Sequence, residues 1–218
     1  MTTERSASLP LRSLVVPAIV TLAVTLLRLA GELLGGPRSL FGSPSGGGAI
    51  VGIVWLVPVF GAYFAWKLAR SGSSPDAGRV IGHALVAVVL VGGIGALAGF
   101  VLKLGQMATI GVVVLALVAA AWIAYRGWPG LGRTLLRYGL LARIPVVLVM
   151  LVAILADWRT HYNAPPPDFP AMSALAKWFL IGLVPQILMW IPFTIVVGSL
   201  VGGLTLLAVA RGREPARA

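Results

Sequence analysis

Long runs of apolar residues, separated by short breaks rich in glycine, proline, serine or charge, follow one another along the chain. A helix of about 20 apolar residues rises about 30 Å, the thickness of the hydrocarbon core of a bilayer. The pattern therefore predicts an all-α fold, a polytopic integral membrane helical bundle that forms one transmembrane domain over residues 1–218. We expect about six transmembrane helices, at about residues 11–34, 49–68, 80–104, 107–125, 135–158 and 184–210.

The last apolar stretch, from Met172 to Ala210, is too long for one simple crossing. As a straight helix it would rise about 58 Å, against about 30 Å of hydrocarbon. Splitting it into two spans would move the arginines of the C-terminal tail away from the other basic loops. We expect instead that residues 172–183 form an interfacial helix on the outer side, or an extension of a tilted span that kinks at Pro185.

Charged residues set the expected orientation. The chain has 17 Lys and Arg against 6 Asp and Glu, a formal net charge of +11. With six spans, most basic residues fall on the side that holds both termini, and short cytoplasmic loops carry such an excess. We predict a protein of the bacterial inner (cytoplasmic) membrane with both termini in the cytoplasm. Because the basic residues never gather in one stripe, the expected partner is the lipid bilayer and not nucleic acid.

Composition and missing motifs narrow the chemistry. Hydrophobic residues make up 59% of the chain and charged residues 11%, which excludes a soluble globular enzyme. The sequence has no cysteine, and its two histidines, His83 and His161, fall on opposite sides of the predicted membrane. It contains no Walker, His-Glu-x-x-His or Gly-x-Ser-x-Gly motif. The sequence thus predicts no cofactor and no metal site, and it argues against an enzyme.

Polar residues within or beside the spans are the best candidates for function, because a charged side chain costs about 2.5–3.5 kcal/mol at mid-bilayer. Arg28 and Glu32 lie one helical turn apart near the outer end of the first span. Asp157 and His161 follow the fifth span on the same side, and Gln186 begins the sixth. We predict that these five residues can form one polar site at the outer leaflet, with no residue assigned as catalytic.

A purely structural interpretation accounts for the same residues. Arg28 and Glu32 then form an ion pair that anchors a helix, and Asp157 marks the water boundary. Arg143 is the deepest isolated cation, and we expect its side chain to snorkel to the cytoplasmic headgroups. The alternative for Arg143 is a role as a ligand for phosphate or a lipid headgroup.

Glycine pairs provide a packing signal. Gly95 and Gly99 in the third span, and Gly198 and Gly202 in the sixth, each make a G-x-x-x-G motif. This spacing lets two helix backbones approach closely in lipid. We predict that spans three and six pack through these four glycines and leave a face for another membrane subunit or a second copy of the chain.

Three classes of function remain open. The one favoured by the missing motifs, the glycines and the short loops is a non-catalytic membrane subunit or scaffold. Intramembrane charges and proline-containing spans are typical of the second class, a small transporter or channel. The third class is an enzyme that acts on a lipid at the outer leaflet through Glu32, Asp157 and His161.

Overall fold

The computed structural model describes residues 8–42, 49–72, 74–166 and 169–211, which fold into helices without any β-strand in these ranges. The helices are α1 (Arg12–Leu33), α2 (Arg38–Phe41), α3 (Leu56–Arg70), α4 (Ala77–Ala96), α5 (Gln106–Gly127), α6 (Pro129–Leu155), α7 (Ala174–Lys177) and α8 (Ile191–Arg211). A π-helical segment, Leu97–Val101, extends α4. Two more, Trp178–Leu183 and Gln186–Trp190, join α7 to α8 in one helical run.

Five helices in the described part of the chain are long and apolar enough to cross a membrane. They are Arg12–Leu33, Ala77–Val101, Gln106–Gly127, Pro129–Leu155 and Ala174–Ala210. The predicted all-α fold, a helical membrane bundle, is confirmed. In the last of these helices, residues 174–183 continue towards α8. Pro185 lies between the segments Trp178–Leu183 and Gln186–Trp190. The helix is irregular at this point because proline has no backbone N–H to donate to the α-helical ladder.

The second predicted span differs most from the structure. The sequence predicts a helix over residues 49–68, but α3 begins only at Leu56, and residues 49–55 follow an irregular path. The 15 residues of α3 rise about 22 Å, short of about 30 Å of hydrocarbon. Residues 49–55 are rich in β-branched side chains and contain Gly52, a composition with low helix propensity. The apolar character of residues 49–55 predicts that they are buried, whereas their low helix propensity predicts that the helix is interrupted there.

Helix α6 also begins earlier than expected, at Pro129 instead of residue 135. Proline is favoured at the first helical position because its missing N–H would have no partner there. The resulting helix has 27 residues, and Arg143 lies near its middle. This position removes Arg143 from the helix end where a cation can reach headgroups easily.

Basic side chains gather at one end of the bundle, which we call the basic end. Lys67 Nζ donates to Ser13 Oγ at 3.2 Å, and Arg137 Nη1 donates to Ser8 Oγ at 3.0 Å. Arg79 Nη2 donates to the carbonyl of Arg126 at 3.2 Å. The opposite end, the loop end, contains the end of α1, the start of α3, and residues 156–166 and 169–173 between α6 and α7.

Towards the basic end, the helices pack closely through small residues. A Cβ atom added to Gly61 of α3 would lie 2.8 Å from Gly198 Cα of α8. A Cβ at Gly202 would collide with Leu131 of α6. These residues border a large apolar cluster that also contains Phe64, Ala65, Leu68, Ala120, Ala124, Trp128, Leu135 and Tyr138.

The glycines of α4 have different surroundings. A Cβ at Gly95 would lie 3.5 Å from Val113 of α5, and at Gly99 it would meet open space. Neither glycine contacts Gly198 or Gly202, which face α3 and α6. Helix α4 meets α8 instead at Gly203, where a Cβ would lie 2.7 Å from Ile81 Cγ1. The pairing expected from the motifs therefore does not occur, because the motif spacing marks small residues but not the helix that they face.

Candidate functional site

The Glu32 carboxylate is the centre of a polar cluster at the loop end. The i, i+4 spacing on α1 puts Arg28 and Glu32 on one helix face, and Arg28 Nε donates to Glu32 Oε1 at 2.9 Å. His161 reaches the same carboxylate twice: its backbone N–H donates to Oε2 at 2.9 Å, and its ring Nδ1 lies 2.5 Å from Oε1. Because an ionised carboxylate can only accept, Nδ1 carries the hydrogen and Nε2 remains as the basic nitrogen of the ring.

Hydrogen bonds within residues 156–166 hold His161 in place. Asn163 Nδ2 donates to Asp157 Oδ1 at 3.0 Å, and Asn163 Oδ1 accepts from Lys177 Nζ at 2.7 Å. Asp157 adopts a positive φ of 48°, which Asp tolerates better than most residues. Asp157 therefore shapes the loop that carries His161, and it does not contact Glu32, Arg28 or Gln186.

Tyr162 anchors this loop to α1. Its hydroxyl donates to the carbonyl of Thr25 at 3.2 Å, and its ring lies against that of His161, with centroids 3.8 Å apart. Tyr162 is buried, and this burial raises the pKa of its phenol, which stays neutral and remains a hydrogen-bond donor. The loop thus rests on α1 through both a carboxylate and a carbonyl.

A cavity of about 260 Å³ lies beside the cluster, and we call it the arginine cavity. Its apolar walls include Val24 and Val54, together with Val146 and Met150 of α6. The polar and aromatic side chains that line it are Thr25, Arg28, Arg143, His161, Tyr162, Gln186 and Trp190. Two cations from different helices therefore face one mainly apolar space.

Arg143 is the deepest of these groups. Its side chain does not snorkel out of the bundle as expected, since only 4% of the residue is exposed. Arg143 Nη1 donates to Gln186 Oε1 at 3.3 Å, and the guanidinium lies 4.8 Å from the ring centroid of Trp190. Among the described residues no carboxylate lies within ion-pair distance of Arg143. A buried cation is thus held by neutral partners only.

Irregular backbone surrounds the arginine cavity on two sides. Gly52, Ile53 and Val54 belong to the segment before α3 that is not helical. Gln186 and Trp190 are the ends of the π-helical segment that precedes α8. Within a membrane, non-helical backbone is tolerated where it is buried or lines a cavity, and π-helical turns often mark functional sites. The irregular segments thus occur where a ligand would have access to backbone and polar side chains.

A second space of about 320 Å³, the surface cavity, lies on the other side of Glu32. Arg38, Phe41 and Arg159 line it together with Glu32. Arg38 and Arg159 are exposed, unlike the groups of the arginine cavity. The Glu32 carboxylate thus lines the surface cavity, whereas its partners Arg28 and His161 line the arginine cavity.

The structure brings together most of the residues that the sequence singled out. Arg28, His161 and Gln186 line one cavity, and Glu32 bonds to two of them, whereas Asp157 lies in the supporting loop. Sequence reasoning missed the buried threonines of α1, although Thr21, Thr25, Arg28 and Glu32 form one helical stripe. It also missed the participation of Arg143, Trp190 and the residues around Gly52.

Comparison with known proteins adds no identity, as no family model, curated protein or solved structure matches the chain. In the ranges that the structure describes, no three side chains of His, Asp or Glu group closely enough to hold a metal ion. The residues of the site itself are therefore the basis for assigning its chemistry.

Proposed function

We propose that this membrane protein binds an anionic molecule in the arginine cavity and does not transform it chemically. The observation that carries the proposal is the buried Arg143, which faces the cavity and has no carboxylate partner among the described residues. A charge at the centre of a membrane helix costs about 2.5–3.5 kcal/mol on insertion scales. An anion in the cavity offsets this cost, because it supplies the countercharge that the surrounding side chains lack.

The other lining groups suit an anion with a short apolar part. Arg28 supplies a second guanidinium, and planar guanidinium groups recognise carboxylate and phosphate oxygens with paired N–H donors. The valines and Met150 can enclose alkyl groups. A volume of about 260 Å³ lies just below the usual range of about 300–1,000 Å³ for drug-sized ligands, so the bound part is small.

Among the functions expected from the sequence, this arrangement best fits a small transporter or a protein that holds the headgroup of an anionic lipid. An enzyme acting through Glu32, Asp157 and His161 is less well supported, because Asp157 is part of the loop and Glu32 already accepts three hydrogen bonds. Free organic anions and anionic lipid headgroups share the same chemistry, so the experiment has to separate the two sources.

The test measures, by calorimetry, the binding of dibutyl phosphate to the full chain in a neutral detergent. Arg143→Gln should weaken binding by about thirtyfold or more, because loss of a buried charge partner costs about 2 kcal/mol or more. Arg143→Lys should retain part of the affinity. Arg126→Gln removes an exposed arginine at the basic end and should leave binding unchanged. Equal affinity in the wild type and Arg143→Gln would overturn the proposal.

The source of the ligand is tested by repeating the titration in nanodiscs. If the cavity holds a lipid headgroup, phosphatidylglycerol mixed into phosphatidylcholine should compete with dibutyl phosphate, and the competition should vanish in Arg143→Gln. If the ligand is a free anion, both lipid compositions should give the same affinity. Either result identifies the source of the ligand.

We also infer that the basic end faces the cytoplasm, as cytoplasmic loops carry the excess of Lys and Arg. The arginine cavity then opens towards the outer half of the membrane. Because the chain lacks cysteine, Ser71→Cys and Arg159→Cys each create a single labelling site at opposite ends of the bundle. In intact cells, a membrane-impermeant maleimide should label only Arg159→Cys, and the reverse pattern would overturn the orientation.

The subunit or scaffold expected from the sequence is the second candidate. A specific observation favours it: Gly92 and Gly93 of α4 and Gly99 of its π-helical extension are exposed, and a Cβ added to any of them would meet open space. Small residues on a lipid-facing helix permit close approach of another helix. Crosslinking in native membranes should give a specific adduct if α4 docks a partner or a second copy, and only monomer if it does not.

A further inference from the structure

We propose that the arginine cavity takes up a proton together with the anion, and that His161 holds this proton on Nε2. The inference rests on the proposed anion binding and adds its regulation. Its basis is geometric: one ring nitrogen of His161 is committed to Glu32, and the same residue lines the cavity that Arg28 and Arg143 face. The second nitrogen is thus the remaining site where a proton can change the charge of the cavity wall.

The charges around His161 come from several elements. Arg28 and Glu32 lie on α1, Arg143 lies on α6, and Tyr162 is the next residue in the loop. Farther groups around the loop are Asp157, bonded to Asn163, Lys177 of α7, also bonded to Asn163, and Arg38 and Arg159 beyond Glu32. Histidine is the member of this set that ordinarily changes charge between about pH 5 and about pH 8.

Protonation of His161 changes what Arg28 can do. With a neutral ring, the Glu32 carboxylate is neutralised by Arg28, and Arg143 alone supplies uncompensated positive charge to the cavity. An imidazolium keeps the Nδ1–H bond to Glu32 and also supplies the countercharge for that carboxylate. The Arg28 guanidinium then contributes its charge to the anion. The bound anion in turn stabilises the imidazolium, because coupling between two ligands is reciprocal.

The sign of the effect follows from this linkage. The anion-bound state holds the proton more tightly than the empty state, so affinity for the anion rises as the pH falls. One coupled proton limits the change to about tenfold per pH unit. The effect is confined to the pH range over which the coupled proton is taken up, and affinity becomes constant on either side of it.

Dibutyl phosphate is the suitable probe, because a phosphodiester remains a monoanion throughout this pH range. We would measure its affinity for the full chain between about pH 8 and about pH 5. Calorimetry in two buffers of different ionisation enthalpy would count the protons taken up. The wild type should bind more tightly at low pH, by up to about tenfold per pH unit, with net proton uptake near the midpoint of the transition.

Two histidine variants provide the matched comparison. His161→Gln keeps an amide that can donate to Glu32 but cannot titrate, so its affinity should not vary with pH and it should take up no proton. His83→Gln changes the other histidine, whose Nδ1 lies 2.8 Å from the carbonyl of Arg79 at the basic end. It should behave as the wild type does.

The outcomes separate the two proposals. Wild-type affinity that is strong but independent of pH would overturn the proton coupling and leave anion binding intact. Persistent pH dependence in His161→Gln would place the proton elsewhere and also overturn the inference. Absence of binding at every pH in the folded wild type would overturn the proposed function, and the proton coupling would fall with it.

Discussion

The two halves of α6 meet different neighbours. Residues 129–142 pack in the large apolar cluster with side chains of α3, α5 and α8, and Gly198 and Gly202 bring α8 close to this half. Residues 143–155 contribute Val146, Met150 and Ala153 to a smaller cluster that also contains Tyr162, and they border the arginine cavity. Arg143 lies at the boundary between the two.

The contrast separates a close-packed half, which favours stability, from the half that the proposed function uses. Helices in lipid gain stability from close van der Waals contact, which small residues permit, and the half towards the basic end has this character. The other half keeps a cavity, irregular backbone and a buried cation, each of which lowers stability and is therefore expected only where it serves a role. Substitutions in the close-packed half should therefore change mainly the free energy of unfolding, and substitutions in the half with the cavity should change mainly ligand binding.

The largest effect on stability within the polar half should come from Glu32. Glu32→Ala removes the carboxylate that Arg28 and two donors of His161 share, and breaking such a buried pair costs about 3 kcal/mol. We would measure unfolding by titration with sodium dodecyl sulfate, followed by tryptophan fluorescence. The double variant with His161→Ala should show a coupling energy of about 1 kcal/mol or more.

Asp157→Ala is the control for this measurement. Asp157 is exposed and its carboxylate accepts from Asn163 of the same loop, so the loss should stay below that of Glu32→Ala by about 2 kcal/mol. Equal losses for the two carboxylates, or no coupling between Glu32 and His161, would contradict the arrangement described for the loop end.

The close-packed half should respond most to a larger residue at Gly61. In Gly61→Val the added side chain meets the backbone of Gly198, which cannot move aside as a flexible side chain can, so we expect a loss of about 2 kcal/mol. Gly99→Val, at an open position of α4, should change the free energy of unfolding by less than about 0.5 kcal/mol. A loss at Gly99 as large as that at Gly61 would show that α4 has a partner missing from the bundle.

Among the residues of the site, Arg143 should have the smallest effect on stability, in spite of its burial. Arg143→Met replaces a cation held by neutral partners with an apolar side chain of similar length, and such replacements are often neutral or stabilising. We expect a change within about 1 kcal/mol in the absence of ligand, or a gain. Destabilisation by about 3 kcal/mol would mean that Arg143 stabilises the fold. It would contradict the difference in stability drawn between the two halves of α6.

Several features of the site were readable in the chain and others were not. The i, i+4 spacing of Arg28 and Glu32 and the polar loop with His161 pointed to the loop end, where the structure brings these three residues together. The sequence sets the position of Arg143 but not the direction of its side chain, because a cation beside a proline can either reach headgroups or turn inward. The break before α3 was visible in the β-branched residues around Gly52, although the apolar pattern concealed it.

The sequence by itself determined the class of the fold and its place in a membrane, since apolar length and the positions of charges are properties of the chain that need no neighbour. Only the tertiary structure decided that α8 turns Gly198 towards Gly61, that Glu32 meets His161, and that Arg143 faces a cavity with Arg28. These contacts join residues far apart in the chain. Local propensity and periodicity identify the face of a helix, whereas the complementary shapes of the packed helices decide what that face meets.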